Sequence, residues 1–246
     1  MEAHFPISLL FFLMPIIAFL YASVGHGGAS SYLVLLALYG FAPAEIRPAA
    51  LLLNIGVSAI SFISFRRAGN FPKELFVSLI IFSIPASFVG SMFLLDAKIY
   101  QKVLGVLLLF PVLRILNVLP VNESKIIERK FWMAPVLGLS IGFVSGLIGI
   151  GGGIILSPVL LILGWTDLKQ TAAISALFIF LNSIAGIIGS GVAGFVLPTY
   201  FEWMLPATLL GGAAGGYIGA NKFNVPSMKI ALATVLAIAS VKFILQ

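Results

Sequence analysis

The stretch Gly149-Ile150-Gly151-Gly152-Gly153-Ile154-Ile155-Leu156-Ser157-Pro158 decides the reading, because a near copy, Gly25-His26-Gly27-Gly28-Ala29-Ser30-Ser31, stands 124 residues earlier. Each copy follows a long apolar run, Phe5–Val24 or Phe131–Ile148, and precedes a short one, Tyr32–Gly40 or Ile155–Gly164. The long runs approach membrane thickness. The short ones, at about 1.5 Å per helical residue, fall well below a hydrocarbon core of about 30 Å. A Gly-rich loop at membrane depth interrupts helical hydrogen bonding, so its free N–H groups need partners from protein, water or a ligand.

Composition sets the solvent. Of 246 residues, 61% are hydrophobic and 9% charged, with a mean hydropathy of +1.16. Soluble domains carry about 25% charged residues, so the expectation is an all-α polytopic membrane protein with no separate soluble domain. Cysteine is absent and the histidines are only His4 and His26, so no disulfide, metal site or cofactor is expected. The net charge of +6 resides in loops. There it reports membrane orientation rather than nucleic-acid binding. Met1-Glu2-Ala3-His4 lacks the positive start of a cleaved signal, and Phe5 onward reads as a retained segment.

The chain divides as 1–119, a first transmembrane repeat; 120–130, a charged linker expected in the cytoplasm; and 131–246, a second repeat. Full spans are expected at Ile46–Phe65, Leu75–Leu95, Val103–Leu119, Ala172–Ile188, Phe201–Ala220 and Ile230–Leu245, with turns at Phe41–Glu45, Trp165–Asp167 and Gly189–Gly194. At the 124-residue offset Gly25, Gly27, Gly28 and Gly40 match Gly149, Gly151, Gly152 and Gly164, and Phe71 matches Phe195. At an offset of 121, Pro85, Ala86 and Gly90 match Pro206, Ala207 and Gly211. The basic residues then set the topology. If each half crosses an odd number of times, ten face one side (Arg66, Arg67, Lys73, Arg114, Lys125, Arg129, Lys130, Lys169, Lys222, Lys229) and four the other (Arg47, Lys98, Lys102, Lys242). An even number gives eight against six. The positive-inside rule favours the first case, with the ten cytoplasmic and both termini outside. Odd crossings make the repeats inverted. Inverted repeats with interrupted helices are a transporter architecture whose site lies near the midplane. The expected fold is therefore two inverted repeats, each a broken or re-entrant Gly-rich segment plus three spans.

The residues at that site point to an anion. Helices starting at Ala29 and near Gly153 present free donors and about half a positive charge at each N-terminus. The expected binding set in the first half is Gly25, His26, Gly27, Gly28, Ser30, Ser31, Arg47, Asn54 and Ser58. In the second half it is Gly149, Gly151, Gly152, Gly153, Ser157, Thr171, Ser175 and Asn182. Arg47, Asn54 and Ser58 share one helical face, as do Thr171, Ser175 and Asn182. Interhelical hydrogen bonding is the alternative role for these polar side chains. Gly138/Gly142/Gly146 and Gly211/Gly215/Gly219 repeat every four residues and read as packing stripes. All eight acids lie at or near segment ends, whereas cation pumps and proton-coupled carriers commonly bury carboxylates. His26 is the titratable group inside the loops, able to donate to an anion or carry a proton.

At these residues the sequence resembles the sulfite exporter TauE/SafE family. The resemblance rests on the paired Gly-rich loops, the Ala172-Ala173-Ile174-Ser175-Ala176 run and Asn182-Ser183, and it covers nearly the whole chain. His26 and Ala29 stand in the first loop where Ile150 and Gly153 stand in the second. The resemblance implies a secondary transporter, an exporter of small sulfur anions such as sulfite, sulfoacetate or related sulfonates, in a bacterial inner membrane. Its expected partners are a small anionic substrate and the lipid bilayer, with homo-oligomerisation left open. An anion channel or a membrane assembly factor is the alternative. An intramembrane enzyme finds no carboxylate pair or Ser-His-Asp set to support it, and no Walker motif is present.

Overall fold

The computed structural model describes residues 7–68, 71–115, 132–194 and 196–221, with Ala237, Ser240, Val241 and Ile244 beyond them. The linker 120–130 lies outside the described residues, as does most of the expected span Ile230–Leu245. The described residues form nine helices and no strand: α1 (Ile7–Ala22), α2 (Ala29–Leu38), α3 (Pro43–Ala68), α4 (Lys73–Met92), α5 (Ala97–Ile115), α6 (Met133–Ile148), α7 (Gly153–Ile162), α8 (Leu168–Ala193) and α9 (Phe201–Asn221). Three of them, α3, α4 and α8, are long and apolar enough to cross a membrane. Helix lengths recur in order: 16, 10, 26 and 20 residues for α1 to α4, then 16, 10, 26 and 21 for α6 to α9.

Helix ends follow local chemistry, and two differ from the expected turns. Pro43 opens α3 instead of turning the chain. At the first helical position its missing N–H is no loss, and Glu45 caps the end by accepting from the Ala42 amide at 3.0 Å. Helix α8 starts at Leu168 under a capping box, Asp167 accepting from the Gln170 amide and Gln170 from the Asp167 amide. It continues through the expected turn at Gly189 and ends at Ala193. Gly189 stays helical because it lets α8 touch the Phe88 carbonyl and Ser91 of α4, where any side chain would intrude.

The two expected glycine stripes act as packing faces. Gly138, Gly142 and Gly146 of α6 lie on the carbonyls of Leu79, Ser83 and Ser87 of α4, while Gly211, Gly215 and Gly219 of α9 lie on those of Pro15 and Phe19 of α1 and of Ser23 just beyond its end. Apolar side chains gain little from helix association in lipid, so close backbone approach supplies the contact. Between these pairs, α3 and α8 cross antiparallel at the centre. Phe65, near the end of α3, clusters with Ala172 and Ala173 near the start of α8, and Leu51, early in α3, meets Gly186, late in α8. Helix α2 packs on α3 and α7 on α8. Large apolar side chains such as Phe12, Ile81 and Leu210 project outward, which suits lipid rather than water.

Candidate functional site

Both Gly-rich stretches fold as tight connections, α1 to α2 and α6 to α7, buried against the α3–α8 crossing. Gly28 and Gly152, with φ of 96° and 80°, each precede a ten-residue helix. That left-handed conformation favours glycine. In the first connection the amides of Gly25 and His26 return to carbonyls of Ala22 and Tyr21, closing α1 before α2 begins. In the second, those of Gly149 and Ile150 return to Ser145.

One side chain joins the two connections. Asn54, fully buried midway along α3, accepts from the Ala29 amide through Oδ1 at 3.0 Å and donates from Nδ2 to the Ile150 carbonyl at 3.3 Å. A side chain at Gly27 would strike Oδ1, and one at Gly151 would approach Nδ2 to 2.8 Å. Ile179, at the matching depth of α8, closes the other side of both glycines. A second polar chain runs from the first connection into the second half. His26 Nδ1 donates to the Val24 carbonyl at 3.0 Å. In a neutral ring Nε2 then accepts from Ser157 at 2.9 Å, and Ser157 meets Ser175 at 2.7 Å.

The remaining sequence-selected residues separate. Ser30 and Ser31 both bond the Tyr21 hydroxyl, tying α2 to α1. Ser58 bonds back to the Asn54 carbonyl within its own helix. Thr171 bonds Thr166 and the Asp167 carbonyl at the head of α8. Asn182 turns to α4, accepting from Ser83 at 2.7 Å, while its carbonyl accepts from Ser87. Arg47 backs onto Gly149, but its guanidinium reaches away, donating to the carbonyls of Ser91, Phe93 and Gly146.

Three residues outside the sequence-selected set touch the connections. The hydroxyls of Tyr32, Ser145 and Ser183 are fully buried and have no hydrogen-bond partner among the described residues. A Cβ built on Gly28 would lie 2.6 Å from the Tyr32 hydroxyl, one on Gly151 3.0 Å from the Ser183 hydroxyl, and one on Gly152 3.2 Å from Ser145 Cβ. Buried polar groups are nearly always bonded, and an unsatisfied one costs about 1–3 kcal/mol. No described carboxylate is buried: Glu45 is half-exposed, and Glu74, Asp96, Asp167 and Glu202 are exposed. The surroundings of the two connections are therefore rich in donors and free of negative charge.

Comparison with known proteins identifies the family. The family model for the sulfite exporter TauE/SafE matches residues 10–243. The probable membrane transporter protein y4hK of Sinorhizobium fredii is 34% identical over 93% of this chain and 94% of its own length. Partial matches include the probable membrane transporter protein MJ0441 of Methanocaldococcus jannaschii, 35% identical over 44% of this chain and 40% of its own. MamO of Magnetospirillum gryphiswaldense is 33% identical over 39% of this chain and 16% of its own. No solved structure matches. A match spanning nearly all described helices and both glycine connections places the chain in the TauE/SafE family of membrane transporters.

Proposed function

We propose that the protein is a secondary transporter, an exporter of small sulfur-containing anions such as sulfite, sulfoacetate or related organosulfonates, built as two inverted repeats in a bacterial inner membrane. The observation that carries this reading is the set of buried, unpartnered hydroxyls of Tyr32, Ser145 and Ser183 against the glycine connections, with no acid beside them. Hydroxyls and helix N-termini at ground-state cost become favourable when an anion accepts from them. Gly25, His26, Gly27, Gly28, Gly149, Gly151, Gly152, Gly153, Ser157 and Ser175 form the connections or their polar links. Asn54 holds them in register. Ser30, Ser31, Ser58, Thr171 and Asn182 support that frame, and Arg47 stands at its edge.

Several features support inversion. Helix lengths recur in order, α3 and α8 run antiparallel, and α1 pairs with α9 as α6 pairs with α4. Arg66 and Arg67 end α3 where Lys169 begins α8, in keeping with one basic, cytoplasmic face. Helices α1 and α6 are about 24 Å long and α2 and α7 about 15 Å, which suits two re-entrant pairs whose glycine tips meet Asn54 from opposite sides. Export needs no coupling ion. An anion leaving a cell that is negative inside gains about 2.3 kcal/mol per charge per 100 mV.

The test is a thermal-shift series on purified protein against sulfite, sulfoacetate, taurine, sulfate and acetate. A ligand that binds only the folded state raises its stability by RT ln(1 + [L]/Kd), about 2.7 kcal/mol at a hundredfold excess over Kd. Sulfite or sulfoacetate should stabilise the protein and acetate should not. Equal shifts with all five, or none, would remove the proposed substrate class.

A further inference from the structure

A second set of unsatisfied groups lies at the head of α3, beside the start of the second glycine connection. A cleft there is lined by Arg47 and Pro48 of α3, Ser91 and Leu94 at the end of α4, and Ser190 and Gly194 at the end of α8. Arg47 is 3% exposed and Ser190 7%. The guanidinium carries five N–H groups, and three hydrogen bonds are made: one to the Phe93 carbonyl and one each to those of Ser91 and Gly146. These acceptors close the C-terminal ends of α4 and α6, and that capping explains why an arginine is buried here. It does not explain Nε, which is buried with no partner, or the Ser190 hydroxyl, which is also buried and unpartnered. Among the described residues no carboxylate lines the cleft. Glu45, on the same helix, caps the Ala42 amide. The N-terminus of α3 adds partial positive charge on this side.

The opposite end of the α3–α8 pair lacks these features. Thr171 stands there at the place in α8 that Arg47 holds in α3, with its hydroxyl bonded to Thr166 and Asp167. Phe65, Ala172 and Ala173 seal that end with apolar contact.

We propose that the Arg47–Ser190 cleft is a separate anion-binding subsite for a small oxyanion or sulfonate group, at the non-cytoplasmic mouth of the path to the glycine connections. The inference rests on the transport reading above for its role, but its binding chemistry can be tested alone. Arg47 Nε–H and the Ser190 hydroxyl supply donors to the anion, and the guanidinium supplies the opposing charge. Arg47 also touches Gly149 through its stem, so the subsite adjoins the second connection.

The probe is a cysteine at Leu94, which is 64% exposed at the rim of the cleft; the natural chain has no cysteine. Two methanethiosulfonates, one bearing a sulfonate and one a trimethylammonium, are applied to the purified, detergent-solubilised Leu94→Cys protein, so that reaction does not depend on membrane orientation. The sulfonate reagent should react about tenfold faster relative to its rate with a free thiol, and millimolar inorganic sulfate should slow it. Ser190→Asp, which sets a carboxylate beside Arg47, should abolish both effects, and Ser190→Ala should weaken sulfate protection severalfold. No charge preference and no sulfate protection would overturn the subsite, as would effects that persist in Ser190→Asp. None of these rates depends on transport. Protection by sulfate in a protein that binds no anion at Tyr32, Ser145 and Ser183 would leave the subsite standing and the central site refuted; the reverse pattern refutes the subsite alone.

Discussion

Replacing Asn54 by aspartate tests the donor character of the centre with a change of one atom. Aspartate keeps an oxygen for the Ala29 amide but sets a second oxygen where Nδ2 donates to the Ile150 carbonyl. Gly151 lies against Nδ2, and an anion bound at that glycine is taken to sit roughly 4 Å from the new carboxylate. Two like charges at that distance repel by about 4 kcal/mol at an effective dielectric of about 20. At about 1.4 kcal/mol per tenfold, sulfite affinity should fall by two to three orders of magnitude at pH 8. Asn54→Ala removes both hydrogen bonds without adding charge and should lose less affinity. The assay is equilibrium binding to purified protein, with size-exclusion profiles showing intact folding. Asn54→Asp binding sulfite within threefold of the wild type at pH 8 would refute an anion site beside Asn54.

Two further predictions concern membrane placement and energetics. Single cysteines at Gly194 and at Ser124, which lies outside the described residues, should label from opposite sides; labelling from the same side would remove the inverted arrangement. In proteoliposomes, sulfite efflux should accelerate when the potential drives an anion outward. Flux that ignores the potential but follows a pH gradient, and loses that dependence in His26→Ala, would replace uniport with proton-coupled movement.

Much of the frame was legible because glycine and charge leave strong marks. The two Gly-rich stretches lie between a long and a short helix, and the four-residue stripes lie on neighbouring carbonyls, since only glycine allows that approach. Helix ends were less legible. Pro43 and Gly189 read as turn residues, yet one opens a helix and the other lets a helix touch its neighbour. Polar roles were the least legible, because spacing gives the face of a helix but not its neighbour. Asn54 and Asn182 lie on comparable stripes, yet one bridges the connections and the other bonds α4. Ser145 carries no signal inside an apolar, glycine-striped helix, and its role depends on α6 folding back over Gly152. The glycines themselves are also blunter probes than their sequence suggests. Valine at Gly28 or Gly152 meets a left-handed backbone and a neighbouring ring, so lost function there would mix strain with lost binding.

The hydroxyls avoid that confusion, and the most direct measurement of the central claim uses Tyr32→Phe, Ser145→Ala and Ser183→Ala together. Each change deletes a buried oxygen without a partner and keeps the side-chain frame. Removing such a group relieves its burial cost, of about 1–3 kcal/mol at most, so the ligand-free triple variant should be as stable as the wild type or more so. A sulfite titration of the two proteins, followed by thermal unfolding, reads both quantities. The account predicts a variant with an unfolding temperature at or above that of the wild type and sulfite affinity reduced at least tenfold. Unchanged sulfite affinity in that variant would contradict an anion site at the glycine connections.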